Sequence, residues 1–110
     1  MAYDVELAAR IRDLTAGTPG LTEKAMFGGL AFLVNGHMAI AASGEGGVLV
    51  RVDPSESDHL VDTTAAEVAV MRGRPMTGWL RVAPDHLGTD DELERWVGRG
   101  TAHAASLPPK

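Results

Sequence analysis

The hydrophobic pattern is densest in two apolar runs, residues 30–34 and 37–42, which are separated by Asn35-Gly36. This arrangement predicts a β-hairpin, because a type I′ turn requires positive φ at both central residues and Asn and Gly adopt it at little cost. A two-residue turn also fixes the strand register. The expected pairs are Val34 with His37, Leu33 with Met38, Phe32 with Ala39, and Ala31 with Ile40.

Both faces of the predicted hairpin are apolar. One face carries Leu30, Phe32, Val34, His37 and Ala39, and the other carries Ala31, Leu33, Met38 and Ile40. Strands at the surface of a two-layer domain normally alternate apolar and polar side chains. We therefore expect this hairpin either to be covered on both sides or to present an apolar face to a partner.

A short strand over residues 22–27 precedes the hairpin. We expect it to continue through Gly28-Gly29 into residues 30–34, because two glycines allow the backbone conformations of a bulge or a bend. After the Asn35-Gly36 turn, residues 37–42 form the returning strand. These residues, with the strand over 48–52, are therefore expected to form a three-stranded antiparallel meander.

Two later strands show clean alternation, which is typical of strands with one buried face. Residues 48–52 place Val48, Val50 and Val52 on one face, and Leu49 and Arg51 on the other. Residues 79–82 place Leu80 and Val82 on one face, and Trp79 and Arg81 on the other. Between them, residues 66–71 are ambiguous but favour an extended run, and residues 72–79 are expected to form a loop leading into the last strand.

Three segments predict helices. The first follows Asp4, a favoured N-cap, and ends before a Gly-Thr-Pro-Gly segment. The second begins at Asp53-Pro54, where Pro at the first helical position loses no hydrogen bond, and ends near residues 62–64. The third begins at a capping box formed by Thr89 and Glu92. The apolar stripes are Val5, Leu7, Ala8, Ile11 and Leu14; Leu60 and Val61; and Leu93, Trp96, Val97, Gly100, Ala104 and Leu107.

The order of these elements is helix, three strands, helix, two strands, helix. Such an order predicts an α+β two-layer domain, α-β(3)-α-β(2)-α, with an antiparallel sheet. No repeat, linker or low-complexity segment interrupts it, so we expect a single domain over residues 1–110.

Composition limits the setting and the partners of the protein. The 110 residues include no Cys and carry a formal net charge of −5. Because no signal peptide or membrane span is apparent, we expect a cytoplasmic protein without a membrane partner. The negative charge disfavours direct nucleic-acid binding. A negative net charge is still compatible with a local basic patch near Arg72 and Arg74.

The sequence contains no recognisable catalytic or metal-binding pattern. Its four histidines lack the spacing of a metal site, and no Gly-x-Ser-x-Gly motif occurs. The glycine-rich residues 43–47 lack the Lys-Ser/Thr ending of a P-loop and are expected to be a plain connection. Asp58-His59 is more typical of a solvated helix face than of a general base. We therefore expect no enzymatic activity, no cofactor and no metal.

The remaining chemistry lies in Trp79 and a group of basic residues. The group comprises Lys24, Arg51, Arg72, Arg74 and Arg81. On one interpretation, the Arg stems cover apolar sheet surface while their charged ends stay in water. On the other, guanidinium groups recognise an acidic protein or a phosphate. The candidate partner-binding residues are then Arg51, Arg72, Arg74, Trp79 and Arg81.

Three helices in so short a chain are expected to cover only one side of the sheet. The other side would then present Leu49, Arg51, Trp79 and Arg81 beside one face of the hairpin. Arg and Trp supply many of the strong contacts where proteins meet. We therefore expect this side to mediate either homodimerisation or the binding of another protein.

Two stretches carry a family resemblance. The first is Met26-Phe27-Gly28-Gly29-Leu30-Ala31-Phe32 followed by Asn35-Gly36-His37-Met38, and the second is Gly73-Arg74-Pro75-Met76 followed by Gly78-Trp79. With the leading and closing helices, they resemble the N-terminal domain of the TfoX/Sxy family, which includes regulators of natural competence. The resemblance implies the fold given above, no catalytic residues, and action on transcription with a protein partner. In the family's competence regulators that partner is the cyclic-AMP receptor protein.

Two hypotheses follow for the function. The first is a small cytoplasmic regulatory or adaptor protein that acts by protein contact, linked to a transcription regulator. The alternative is a small-ligand-binding protein or an enzyme that uses the loop around Arg74 and Trp79. Direct DNA binding ranks third, because the chain is acidic and has no recognisable recognition helix. The better-known regulators of the family also carry a C-terminal helical domain, which these 110 residues do not include.

Overall fold

A computed structural model describes residues 3–26 and 28–109. The elements are α1 (Val5–Thr15), β1 (Leu21–Met26), β2 (Gly29–Val34), β3 (His37–Ala42), β4 (Val48–Arg51), α2 (Pro54–Thr63), β5 (Glu67–Met71), β6 (Arg74–Val82) and α3 (Asp90–Ser106), with a 3₁₀ turn at Pro84–His86. Within this described part, six strands form one antiparallel sheet in the order β1-β2-β3-β4-β6-β5. The predicted α+β class and antiparallel sheet are confirmed.

The structure corrects the strand count of the first group from three to four. The segment expected to be one strand with an irregularity is two antiparallel strands, β1 and β2, paired from Leu21–Val34 to Met26–Gly29. Phe27, which we placed at the end of the first strand, lies outside the described residues. Gly28 has a φ of 73°, and a Cβ on Gly29 would lie 2.0 Å from the carbonyl oxygen of Ala42. Gly28-Gly29 therefore belongs to a chain reversal rather than a bulge.

The Asn35-Gly36 turn is confirmed, with φ values of 53° and 86° at its two central residues. Val34 pairs with His37, and Leu33 pairs with Met38, as expected. Beyond these pairs the register shifts, so that Phe32 lies opposite Ile40. The predicted pairs of Phe32 with Ala39 and of Ala31 with Ile40 are therefore wrong. One extra residue in β3 places Ile40 on the same side as Phe32, in the main core.

Replacing Gly36 with Val tests the turn. A β-branched residue resists the positive φ, so we expect unfolding free energy to fall by about 2 kcal/mol. Gly36→Asn is the control, because Asn tolerates this conformation and should cost far less. Urea denaturation followed by circular dichroism measures both variants, and equal stability of the two would contradict the turn type.

The main hydrophobic core lies between the three helices and one face of the sheet. Its buried residues include Phe32, Ile40, Val48, Val50, Val52, Leu80 and Val82 from the sheet side, and Leu7, Ile11, Leu60, Leu93, Trp96 and Val97 from the helices. The predicted docking of α3 through Trp96 agrees with this arrangement, since its side chain is 5% exposed. Val5, by contrast, was assigned to the apolar stripe of α1 but is 53% exposed.

Local signals at the helix starts act as predicted. The side chains of Asp4 and Asp53 accept backbone hydrogen bonds at the starts of α1 and α2. Thr89 and Glu92 form both hydrogen bonds of the capping box at the start of α3. These contacts fix where each helix begins, and thereby where its apolar stripe meets the sheet.

Candidate functional site

The sheet face opposite the helices carries a second apolar cluster. Its buried members are Ala31, Met38, Ala41, Leu49 and Ala69, and its partly buried members are Met26, Leu33, Met71 and Trp79. No helix residue from the described part of the chain belongs to this cluster. We call this side of the sheet, with the charged residues that flank the cluster, the open face.

Strand alternation places three of the predicted site residues on the open face. In β4 and β6 the valines and Leu80 point into the main core, which leaves Leu49, Arg51, Trp79 and Arg81 on the other side. Across the two strands, Leu49 pairs with Arg81, and Arg51 pairs with Trp79. The predicted faces of both strands are therefore confirmed.

Two of the arginines on the open face have partners within the chain. The Arg51 guanidinium carbon lies 5.3 Å from the centre of the Trp79 ring, a cation–π contact. Arg81 forms an ion pair with Glu45, which belongs to the glycine-rich segment after β3. This segment, expected to be a plain connection, therefore supplies a residue to the site. The one feature of the sequence that could have indicated this role is the single charged residue, Glu45, among the glycines.

The loop predicted over residues 72–79 is wrong, because β6 already begins at Arg74 and pairs with β5. A two-residue turn joins the strands at Arg72-Gly73, with φ values of 53° and 77°. Both values are positive, as in a type I′ turn. The first of these positions normally holds Asn, Asp or Gly, so Arg72 concealed the hairpin from sequence analysis.

Between this hairpin and β4 lies a groove of about 820 Å³ that is open to solvent. Buried Leu49 and Ala69 form its base, and Met71 and Met76 add partly buried apolar surface. Its charged lining residues are Arg72, Arg74, Arg81 and Glu45. Three of the five predicted site residues thus line one groove, and the Arg51–Trp79 pair lies next to it on the same face. The sequence analysis missed Glu45, Met71 and Met76.

Charge is divided unequally between the two sides of the sheet. Five of the ten basic residues belong to the open face, namely Lys24, Arg51, Arg72, Arg74 and Arg81. The acidic residues assigned to it are Glu45 and Glu67, out of fifteen in the chain. A chain with a net charge of −5 therefore carries a basic surface on one side.

Two contacts of ionisable groups away from the open face have structural roles. The Arg12 guanidinium donates hydrogen bonds of 2.8 and 2.9 Å to the carboxylate of Glu23, which holds the pKa of Glu23 below its usual value. This pair ties the edge strand β1 to α1. The His37 Nε2–H donates to the carbonyl oxygen of Pro108 and ties the end of the chain to β3.

Within residues 3–26 and 28–109, no group of His, Asp and Glu side chains could hold a metal ion. No helix there is both long enough and apolar enough to cross a membrane.

Comparison with family models adds a direct match. The model of the TfoX N-terminal domain matches residues 13–104. The chain belongs to this family. No curated protein sequence matches the chain significantly.

The motifs that suggested the TfoX N-terminal domain occupy the turns of its sheet. Asn35-Gly36 forms the β2–β3 turn, and Gly73 belongs to the β5–β6 turn beside the groove. Gly78 has a φ of 89°; its N–H donates to the buried Ser57 Oγ at 3.4 Å, and its carbonyl oxygen accepts from the Val52 N–H at 2.8 Å. These bonds fix β6 against α2 and against the end of β4, and the next residue, Trp79, lies on the open face.

Proposed function

We propose that this TfoX N-terminal domain is a cytoplasmic regulatory protein that binds another protein through its open face, and that this binding serves the control of transcription. It has no catalytic activity of its own in this proposal. The observation that carries it is the open face itself: an apolar cluster containing Trp79 and three methionines, flanked by five basic residues, on a sheet side that the helices leave uncovered.

The composition of the open face suits a protein partner. Arg, Trp and Met are enriched where proteins meet, and an aromatic ring packed beside Arg is a common anchor. The face combines small buried residues with larger, partly exposed ones, so its surface has protrusions and recesses as well as apolar area. Membership of the TfoX N-terminal domain family supports the link to transcription.

A protein partner is favoured over duplex DNA. DNA affinity depends on many phosphate contacts, and the open face also contains Glu45 and Glu67, which repel phosphates. Its elements are strands in a sheet of six, and a sheet this broad does not fit the major groove as a helix or a two-stranded ribbon does.

Crosslinking in cells with the double variant Arg51→Glu/Arg81→Glu tests the proposal. We expect a partner captured by the wild-type protein to be reduced about tenfold, because both charges reverse at the centre of the face. The control Arg10→Glu/Arg95→Glu makes the same charge change on the helix side. Both variants should keep the native circular dichroism spectrum.

Specific loss with the open-face variant, reproduced with the purified partner, supports the proposal. Equal capture by both variants contradicts it. If the captured protein is a second copy of the chain, sedimentation analysis will show a dimer that the open-face variant loses, and regulation through a different protein is then contradicted.

The groove also favours a second candidate, a small-ligand-binding protein. Its volume falls within the range of small-molecule sites, and three arginines line it. A thermal-shift screen against anionic metabolites and nucleotides separates the two functions. A saturable rise in melting temperature that Arg74→Gln abolishes would favour the small ligand.

A further inference from the structure

We propose that the groove binds an acidic peptide segment of the partner, with carboxylates on Arg72 and Arg74 and an apolar side chain between Met71 and Met76. This inference rests on the proposed function, because it specifies the chemistry of the partner at the open face. It places the acidic segment in the groove beside the Arg72-Gly73 turn and leaves the Arg51–Trp79 pair to other contacts with the partner.

Arg72 and Arg74 are the free cations of the groove. Both are exposed, and neither has an acidic side chain within ion-pair distance in the described part of the chain. Arg81, by contrast, is already paired with Glu45. A planar guanidinium group can bind a carboxylate through two parallel hydrogen bonds, so the two free groups match two carboxylates of a partner.

The backbone at Arg72 supports a role for its side chain. Its φ of 53° is a conformation that Asn, Asp or Gly adopts more readily than Arg. Arg therefore costs stability at this position without contributing a contact to the core. A residue that opposes local preference at a surface turn points to a function for its charged end.

The shape and lining of the groove favour a peptide. Arg74, Met76 and Arg81 of β6 line the groove, so it extends over several residues of a strand, as a peptide site does. The groove is partly open to solvent, so it does not fully enclose a ligand. Met71 and Met76 are flexible and polarizable, so they can pack around different apolar side chains.

Selection of random ten-residue peptides displayed on phage tests the proposal without a known partner. The target is the full wild-type chain, and the comparison is Arg72→Asn/Arg74→Gln. Asn suits the positive φ at position 72, so this variant removes two cations while keeping the hairpin. The matched control, Arg10→Gln/Arg95→Gln, removes two cations from the helix side.

We expect the wild-type protein and the helix-side control to select peptides enriched in Asp, Glu and large apolar residues. A selected peptide, made with a fluorescent label, should bind the groove variant at least about tenfold more weakly in anisotropy titrations. Replacing its apolar residues with Ser should also weaken binding. A 20-base-pair DNA duplex serves as the competing polyanion.

No acidic enrichment, equal binding by the groove variant, or tighter binding of the duplex would each overturn the acidic-peptide proposal. The crosslinking variant Arg51→Glu/Arg81→Glu tests contact across the open face and shares only Arg81 with the groove, whereas the peptide selection tests Arg72 and Arg74. Loss of a captured partner in the crosslinking experiment, together with failure of the peptide selection, would retain the protein-contact function and reject the peptide chemistry. Unchanged crosslinking, together with successful selection of acidic peptides, would retain the peptide site and reject the proposal that the whole open face binds the partner.

Discussion

Replacing Trp96 with Ala is expected to lower the unfolding free energy by about 3–5 kcal/mol. The side chain of Trp96 is almost fully buried and belongs to the cluster that joins α3 to the sheet. Removing the ring leaves a cavity that the surrounding β-sheet cannot close. The Arg99 guanidinium, which lies 4.5 Å from the ring centre, also loses its contact.

Trp79→Ala is the matched control, because it removes the same side chain from the open face. Trp79 is only partly buried there and contacts Arg51, so we expect a loss of about 1 kcal/mol. Urea denaturation monitored by circular dichroism measures both variants. Similar losses for the two would contradict the assignment of the main core to the helix side.

Replacing Gly100 with Ala is expected to destabilise the fold by about 3 kcal/mol, although Ala is the better helix former. A Cβ at this position would lie 2.3 Å from the carbonyl oxygen of Ala39 and 3.3 Å from a Val50 methyl carbon. The first of these contacts is with backbone, which cannot rotate away. The helix must therefore move off the strand and lose part of its packing.

Gly98, two residues earlier in α3, provides the control for Gly100. A Cβ there would meet no atom within 4 Å. Gly98→Ala should therefore stabilise the protein by about 0.5–1 kcal/mol, through the lower flexibility of Ala in the unfolded chain. Opposite signs for the two substitutions confirm the close approach of α3 to β3, and equal signs contradict it.

Features that depend on neighbouring residues in sequence could be predicted. The Asn35-Gly36 turn, the caps at Asp4 and Asp53, the Thr89–Glu92 capping box and the alternation in β4 and β6 all belong to this class. Alternation alone put Arg51, Trp79 and Arg81 on one face, since side chains reverse at every residue of a strand.

Features that depend on tertiary contacts could not be predicted. The extra residue in β3 lies where the strand meets Gly100 of α3, far away in sequence. Gly28-Gly29 is compatible with both a bulge and a chain reversal, and the pairing of β1 with β2 determines which of the two forms. The groove required the β5–β6 hairpin, whose turn begins with Arg72 where the usual signal is Asn or Asp.

The position of the Arg72-Gly73 turn separates the residues that set the charge of the groove from the residues that stabilise the fold. The turn lies at the tip of a hairpin whose outer strand, β5, is an edge of the sheet, and its side chains are exposed. Substitutions at the tip can therefore change the charge of the groove while the buried residues of the helix side stay the same. Binding preference can therefore be altered by substitution at the tip without loss of the fold, because surface changes away from core contacts cost little stability.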